Sequence, residues 1–299
     1  MARDVAVIMS TYNGERYLRE QLDSLICQSV PVDLYVRDDG SNDETLRILE
    51  EYQRENNHII LIEGSNLGCT ASFLDALHNV PDYYSYYAFC DQDDVWHSDK
   101  IERALLKLES FDDQSVPLLY ASEYNYCSED MTFQSRSHLN KNGVSFSKCL
   151  FENICSGNTM VFNLAARQLM LRGDVPSVYC HDWWASLSVS CFGTILFDDE
   201  PSLDYRRTGN NVSPSGSKGL ALLLFRIKTF IQKGQLRDIR LQLDSFWRVF
   251  AEEMEPEKRR LLERGTFGSP IARALTPSRF RQKGLDELVV RCLLMFNLL

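Results

Sequence analysis

The chain has no apolar run of about eighteen residues, no CxxC pair, no internal repeat and no low-complexity stretch. Each absence removes a class. Without a long apolar run the sequence does not read as crossing a bilayer, and Met1-Ala2-Arg3-Asp4 leads straight into a strand-like run with no signal-peptide core. The nine cysteines are odd in number and scattered, which speaks against a disulfide framework and a Cys-type zinc site and fits reduced thiols in a cytosolic protein. Net positive charge is missing too: 32 Lys and Arg face 42 Asp and Glu, leaving −10. A general nucleic-acid binder, whose affinity rests on clustered cations displacing phosphate counterions, is thereby excluded. Residues 10–16 carry neither a basic Gly-rich phosphate loop nor a GxGxxG turn, so nucleotidyltransferase and dehydrogenase readings fail at the first loop. With 299 residues, 44% hydrophobic and 25% charged, the chain suffices for one large soluble domain with a helical appendage.

What is present alternates. A β-branched run over 5–9 ends in Ser10-Thr11-Tyr12-Asn13-Gly14, and Leu18, Leu22, Leu25 and Ile26 then repeat at helical spacing. A second strand over 34–36 leads into Arg37-Asp38-Asp39-Gly40-Ser41, where Ser41 and Glu44 have capping-box spacing before the helix of Leu46, Leu49 and Tyr52. A third strand over 59–62, a helix over 70–78 and a fourth strand over 86–90 follow. Beyond Trp96 the pattern loosens: a helix around Ile101 to Leu108, strands over 118–121, 159–162, 195–197 and 203–205, and helices around 165–171 and after Cys180. Strands alternating with single helices imply an α/β fold on a mainly parallel sheet, whose ligands bind at the carboxyl ends of the strands. The loops at 10–13, 38–43, 66–68 and 91–94 all follow strands on that edge.

The richest chemistry lies in Cys90-Asp91-Gln92-Asp93-Asp94-Val95-Trp96, three carboxylates in four residues after a buried strand. Crowded carboxylates repel unless a cation joins them. Oxygen ligands suit Mg²⁺ or Mn²⁺, and a metal held by one or two of them keeps positions open for substrate phosphates. A solvated acidic loop capping the next helix is the plainer alternative. The histidines at 58, 78, 97 and 138 show no ligand spacing.

The order strand, Thr-Tyr-Asn, helix, Asp-Asp-Gly-Ser-x-Asp, Asn-Leu-Gly, Asp-Gln-Asp-Asp resembles a family 2 glycosyltransferase of the GT-A fold. With His181-Asp182-Trp183-Trp184 it resembles the bacterial rhamnosyltransferase branch, over roughly residues 4–215. The resemblance implies that Thr11, Tyr12 and Asn13, with Asp38 or Asp39, hold the nucleotide base, Tyr12 by stacking and a carboxylate by accepting a ring N–H. An ordinary loop tyrosine and a helix-capping acidic turn fit the same residues. Asn66 and Gly68 allow a close backbone approach near the sugar-phosphate, or form a plain turn. Asp91 falls near the ribose and Asp93 on the metal, Mn²⁺ or Mg²⁺, so that the ion and not a lysine cluster neutralises the diphosphate. Asp182 takes the place of the general base of an inverting transfer. Asp94, Trp96, His181, Trp183 and Trp184 are placed at the acceptor or sugar, with helix capping by Asp182 and core tryptophans as the alternative. One departure stands out. Where relatives carry Tyr-Arg-x-His-Gly-x-Asn, this chain has Tyr205-Arg206-Arg207-Thr208-Gly209-Asn210-Asn211, so an imidazole ligand is missing and Arg206 or Arg207 is expected on the diphosphate.

A catalytic domain is therefore expected over 1–215 and a helical region over 216–299. Residues 219–265 read as a helical tail and 288–299 as a strongly apolar close. Leu220, Leu223, Leu224, Ile227, Phe230 and Ile231 with Arg226, Lys228 and Lys233 form a basic amphipathic stretch, read either as a contact with the inner face of the cell membrane or as packing on the catalytic domain or an oligomer partner. The expected donor is a nucleoside diphosphate sugar, dTDP-L-rhamnose first and a UDP-hexose second, and the acceptor a lipid-linked or oligosaccharide hydroxyl in bacterial cell-surface polysaccharide assembly. A catalytically weak carbohydrate-binding relative is the non-enzymatic alternative.

Overall fold

The computed structural model describes residues 4–172, 178–208 and 235–298. The first ninety residues fold as their periodicity predicts: β1 (Val5–Thr11), α1 (Leu18–Ile26), β2 (Asp33–Asp38), α2 (Thr45–Glu55), β3 (Ile59–Glu63), α3 (Cys69–Asn79) and β4 (Tyr86–Cys90). Then come β5 (Val95–Trp96), α4 (Lys100–Glu109), β6 (Leu118–Ser122), β7 (Asn125–Cys127), β8 (Phe133–Arg136) and α5 (Phe146–Cys149). A 3₁₀ turn (Gly157–Thr159) precedes β9 (Val161–Asn163), α6 (Leu164–Met170), α7 (His181–Phe192), β10 (Thr194–Asp198) and β11 (Leu203–Arg206). The described C-terminal helices are α8 (Gln235–Phe250), α9 (Pro256–Thr266), α10 (Pro270–Ala274) and α11 (Gly284–Met295).

Seven strands form the main sheet in the order β10-β6-β9-β4-β1-β2-β3, and β5-β11-β7-β8 form a smaller one. The main sheet is parallel except for β9, which runs antiparallel to both β4 and β6. Register aligns the functional edge: Met9 faces Cys90 and Thr11 faces Asp38, so the loops after β1, β2 and β4 leave side by side. Period-two alternation splits the core into two layers. Ala6 and Ile8 of β1 join the cluster under α3, α6 and α7, while Val5, Val7 and Met9 join the one under α1, α2 and α4.

α7 is buried almost all round, as expected for a helix enclosed between a sheet and another layer. The outer layer is α8, whose Ile239, Leu243, Phe246 and Phe250 belong to the same cluster as the sheet. Phe246 sits edge-on to Trp184 at 5.5 Å. The helices after residue 235 thus share the catalytic layer's core. The expected boundary near 215 and the basic stretch over 220–233 lie outside the described residues.

Three expectations change. The strand foreseen over 159–162 is shifted to Val161–Asn163, because Thr159 N–H bonds back to Ser156 and Met160 N–H to Gly157, winding a 3₁₀ turn first. The single tail to residue 265 is broken before Pro256, which lacks the N–H a continuing helix needs. The smaller sheet was not foreseen as a unit: only its strand over 203–205 was expected, and β5, β7 and β8, two to four residues long, are too short for periodicity to register.

The shared core makes a prediction. Phe246→Ala, at a fully buried ring, should cost about 3–5 kcal/mol, whereas Leu241→Ala on the exposed side of α8 should change stability by about 0.5 kcal/mol or less. Urea melts would measure both; equal small effects would mean that α8 is not part of the core.

Candidate active site

The loops at the strand ends are tied to one another by side chain to backbone bonds. Gln92, between the two leading aspartates, accepts from Tyr12 N–H at 2.9 Å and donates to Tyr12 O at 3.1 Å, clamping the first loop to the acidic one. Asn13, at φ 47°, donates its N–H to Ser41 Oγ, and its side-chain oxygen accepts from Asn42 N–H at 2.8 Å. The Tyr12 ring is left 45% exposed above this junction, a free aromatic face.

Asp38 and Asp39 are both buried. Asp38 accepts from Thr11 Oγ1 (3.0 Å), Ser41 Oγ (2.6 Å), Gly40 N–H (3.1 Å) and Ser41 N–H (2.8 Å). Asp39 is ion-paired with Arg37 and accepts from Leu67 and Gly68 N–H. The protein's own donors therefore take the places expected for a base N–H, and these two carboxylates shape the loops. Thr11 is buried and committed to Asp38, while Asn66 is exposed beside Gly68. Gly68 has φ +82° and nothing within 4 Å of where a Cβ would stand, so its backbone faces open space. The expected capping box does not form either: Ser41 is engaged with Asp38, and Asp43 caps Thr45 instead.

At the end of β4, Asp91 and Asp93 are partly exposed and Asp94 is buried. Asp94 accepts from the Asn158 side-chain amide and from Arg206 N–H at 3.2 Å, so it holds backbone in place and is not at an acceptor sugar. Behind it lies Lys100, fully buried, with Nζ 3.4 Å from the Trp96 ring centre and donating to Asn158 O. Trp96 is thus a buried platform for a lysine, where a sugar was expected. Burial pushes Lys100 down to about 7 against the pull of Cys90, Asp94 and Asp91. Burial first, then Asp93 and Asp182, pushes Asp91 up to about 7. Desolvation also raises Asp93. Among the described residues no side-chain donor reaches the carboxylates of Asp91 or Asp93.

Asp182 enters from the N-terminus of α7, near enough to Asp91 to raise its pKa. Its carboxylate accepts from Gly157 N–H at 3.0 Å, Trp183 N–H at 2.7 Å and the Cys180 thiol at 2.8 Å. Gly157 is required there, since a Cβ would stand 2.9 Å from His181 Nε2 and 3.1 Å from Asp182 Cβ. The aromatic residues beside Asp182 form no sugar wall. Trp183 donates to Cys149 O and Trp184 to Met170 O, both indoles buried. His181 is stacked on Phe73 at 4.0 Å and meets Phe89 edge-on. Ten residues of α7 are buried, so its tryptophans had no solvent face to occupy.

The arginines expected on the diphosphate are likewise engaged. Arg206 is buried, donating to Asp93 O at 3.0 Å, to Glu20 at 2.5 Å and to Glu129 O. Arg207 lies over the Tyr126 ring at 3.7 Å and donates to Gln134 at 3.3 Å. Thr208 is described; Gly209 to Asn211 are not.

Among the described residues two groups bring metal-binding atoms to this edge. Cys180, His181 and Asp182 bring one ligand atom each within 4.8 Å of one another. There, however, the Asp182 oxygens are already accepting three hydrogen bonds and the imidazole is packed between two phenylalanines. Asp91 and Asp93 present hard oxygens that accept from no side chain among the described residues, with Lys100 and Arg206 only partly offsetting what raises them, a donor set that a divalent cation and phosphate oxygens would complete.

Comparison with known proteins joins this geometry to a family. The profile described as glycosyl transferase family 2 matches residues 6–162, more than half of the chain. The chain belongs to glycosyl transferase family 2. Over 102 residues it is 40% identical to the dTDP-rhamnosyl transferase RfbG of Shigella flexneri, a match covering 32% of this chain and 35% of that protein. The match covers between 15% and 61% of the length of the curated relatives. The fold is that of GT-A transferases. S. aureus TarS 1–349 in complex with UDP-GlcNAc superposes with TM-score 0.59 at 15% identity, covering 99% of this chain and 91% of that one. The mannosyltransferase PcManGT of Pyrobaculum calidifontis, in complex with GDP-Man and Mn²⁺, gives 0.55 at 15% identity, covering 99% and 75%.

Sequence reasoning missed the Gln92 clamp, Lys100 and the Gly157–Asn158 turn. Gln92 sat inside a motif read for its acids, and Lys100 starts an amphipathic helix whose cations ordinarily face water. Gly157-Asn158 carried only a generic turn signal.

The raised pKa of Asp91 fixes a sign. Its folded value lies above the unfolded one, so its stabilising effect is full below about pH 4 and is lost as pH rises through about 7. In metal-free buffer Asp91→Asn should therefore raise Tm by an amount that grows between about pH 4 and about pH 7 and levels off above. A pH-independent difference in thermal melts would contradict that charge balance.

Proposed function

We propose that this family 2 member transfers a glycosyl group from a nucleoside diphosphate sugar to a carbohydrate hydroxyl with inversion. The observation that carries the reading is the closeness of Asp91, Asp93 and Asp182, whose charges add to burial in raising Asp91, on the strand edge where Gln92 clamps the acidic loop to that of the exposed Tyr12. In this reading the Tyr12 face stacks on the base, and the open backbone at Gly68 lets the sugar-phosphate approach. Asp91 and Asp93 hold Mn²⁺ or Mg²⁺, which when bound neutralises the departing diphosphate.

Asp182 acts as general base. The acceptor oxygen forms a bond to the anomeric carbon as the bond from that carbon to the diphosphate oxygen breaks, and the acceptor proton passes to the Asp182 carboxylate. Three hydrogen bonds fix that carboxylate in orientation, which lowers the entropy of alignment with the hydroxyl. No covalent nucleophile is needed. Thr11, Asn13, Asp38 and Asp39 contribute by holding the base-binding loops in shape, and Asn66 lies on the rim.

The favoured donor is dTDP-L-rhamnose, on the likeness to the Shigella flexneri transferase; a UDP-hexose is the second choice, on the likeness to TarS. The acceptor is a lipid-linked or oligosaccharide hydroxyl in surface-polysaccharide assembly.

The test is transfer from dTDP-L-rhamnose and from UDP-hexoses, with and without EDTA, beside donor binding. Asp182→Asn should lower turnover by about 10²–10⁴ while donor binding persists, and Asp93→Asn should lose metal-dependent donor binding. Wild-type and both variants turning over alike would sink the assignment. Donor binding without turnover in the wild type would favour the carbohydrate-binding alternative.

A further inference from the structure

We propose that the outer face of α10 and α11 is a docking surface for an anionic lipid bilayer. α11 is apolar on two opposite sides. Val290, Leu293 and Leu294 turn into the core, while Leu285, Leu288 and Met295 recur at helical spacing along the other side, with Phe296 next to them. Leu288 is 58% and Phe296 71% exposed. Ile271 and Leu275, one turn apart at α10, which packs against α11, are both 65% exposed. An exposed apolar surface of this size marks a contact.

Charge selects the occupant. Among the described residues from 269 to 298 the exposed charged side chains are Arg279 and Lys283, with no exposed acid. The acids there turn inward: Glu287 pairs with Arg291 and accepts from Phe280 and Arg281 N–H, and Asp286 lies 4.0 Å from Arg281. Residues 266–299 hold five Lys and Arg against two Asp and Glu in a chain of net charge −10. A second copy seated here would bring Arg279 and Lys283 against their own equivalents in a two-fold contact. Apolar side chains whose own segment exposes cations and no acid, with the exposed Glu263 on the neighbouring α9, match a helix lying in the headgroup region of an anionic leaflet. The surface lies outside the catalytic residues, so the proposal stands apart from the transfer reading.

Flotation of the full chain with vesicles of phosphatidylcholine, alone or mixed with phosphatidylglycerol, tests it, with light scattering in parallel. The wild type should float with phosphatidylglycerol vesicles, bind phosphatidylcholine weakly and be released by salt. The double variant Leu285→Ser/Leu288→Ser, at exposed positions, should keep its melting temperature and bind on the order of tenfold more weakly or less. Lys283→Gln should weaken binding about fivefold. No flotation on anionic vesicles, or binding unchanged in the leucine variant, would overturn the proposal. So would a wild-type dimer that the leucine variant dissociates while neither protein floats.

Discussion

The 3₁₀ turn at Gly157 and Asn158 holds both halves of the site. Gly157 N–H fixes the Asp182 carboxylate, and the Asn158 amide fixes Asp94, which directly follows the partly exposed Asp91–Asp93 pair. Asn158 O in turn receives the buried Lys100 ammonium. The turn exists because β9 runs antiparallel between two parallel neighbours, so the chain must enter it from the functional edge of the sheet. Topology thus places a short rigid segment between the acidic loop and the start of α7. Asp182 and the acidic loop, supported from one buried segment, keep a constant separation, as the proposed transfer would require.

Charge is arranged with equal economy of groups. In an acidic protein the cations nearest the site are committed elsewhere: Arg37 to Asp39 and Asp75, Arg206 to Glu20 and the backbone of Asp93 and Glu129, Lys100 to Asn158 and the Trp96 ring. They rigidify the loops, because a buried cation is stable only with its partners in place. The result is a frame of satisfied ion pairs around Asp91 and Asp93, whose repulsion the burial strengthens. A divalent cation would relieve that repulsion, and with threonine at 208 the ligands offered there would be carboxylates alone.

Much of this was legible in the sequence, for identifiable reasons. The alternation through β4 carries strong periodicity and turn chemistry, and the acidic cluster after a buried strand is chemically conspicuous, so the edge of the sheet and the cluster on it were legible in advance, and Asp182 does come near Asp91 there. The small sheet was not legible beyond its strand at 203–205, since β5, β7 and β8 are too short, nor was the direction of β9, which depends on pairing from a distance. The misplaced residues share one cause. Trp183, Trp184, Trp96, Arg206 and Asp94 are types that bind sugars or phosphates when exposed, and only packing shows that each is buried with partners of its own. The donors that Asp39 meets at Leu67 and Gly68 come from a loop distant in sequence, and those that Asp38 meets at Gly40 and Ser41 depend on how the turn closes on it.

The claim beneath the account is that Asp91 and Asp93, and not the Cys180–His181–Asp182 group, hold a cation on the diphosphate. Crystals grown with Mn²⁺ and a nucleoside diphosphate, measured at the manganese edge, test it most directly. The account predicts an anomalous peak between the Asp91 and Asp93 carboxylates and the diphosphate oxygens, with the base against Tyr12. A peak at Cys180 and His181, or a bound nucleotide with no manganese beside Asp93, would contradict it.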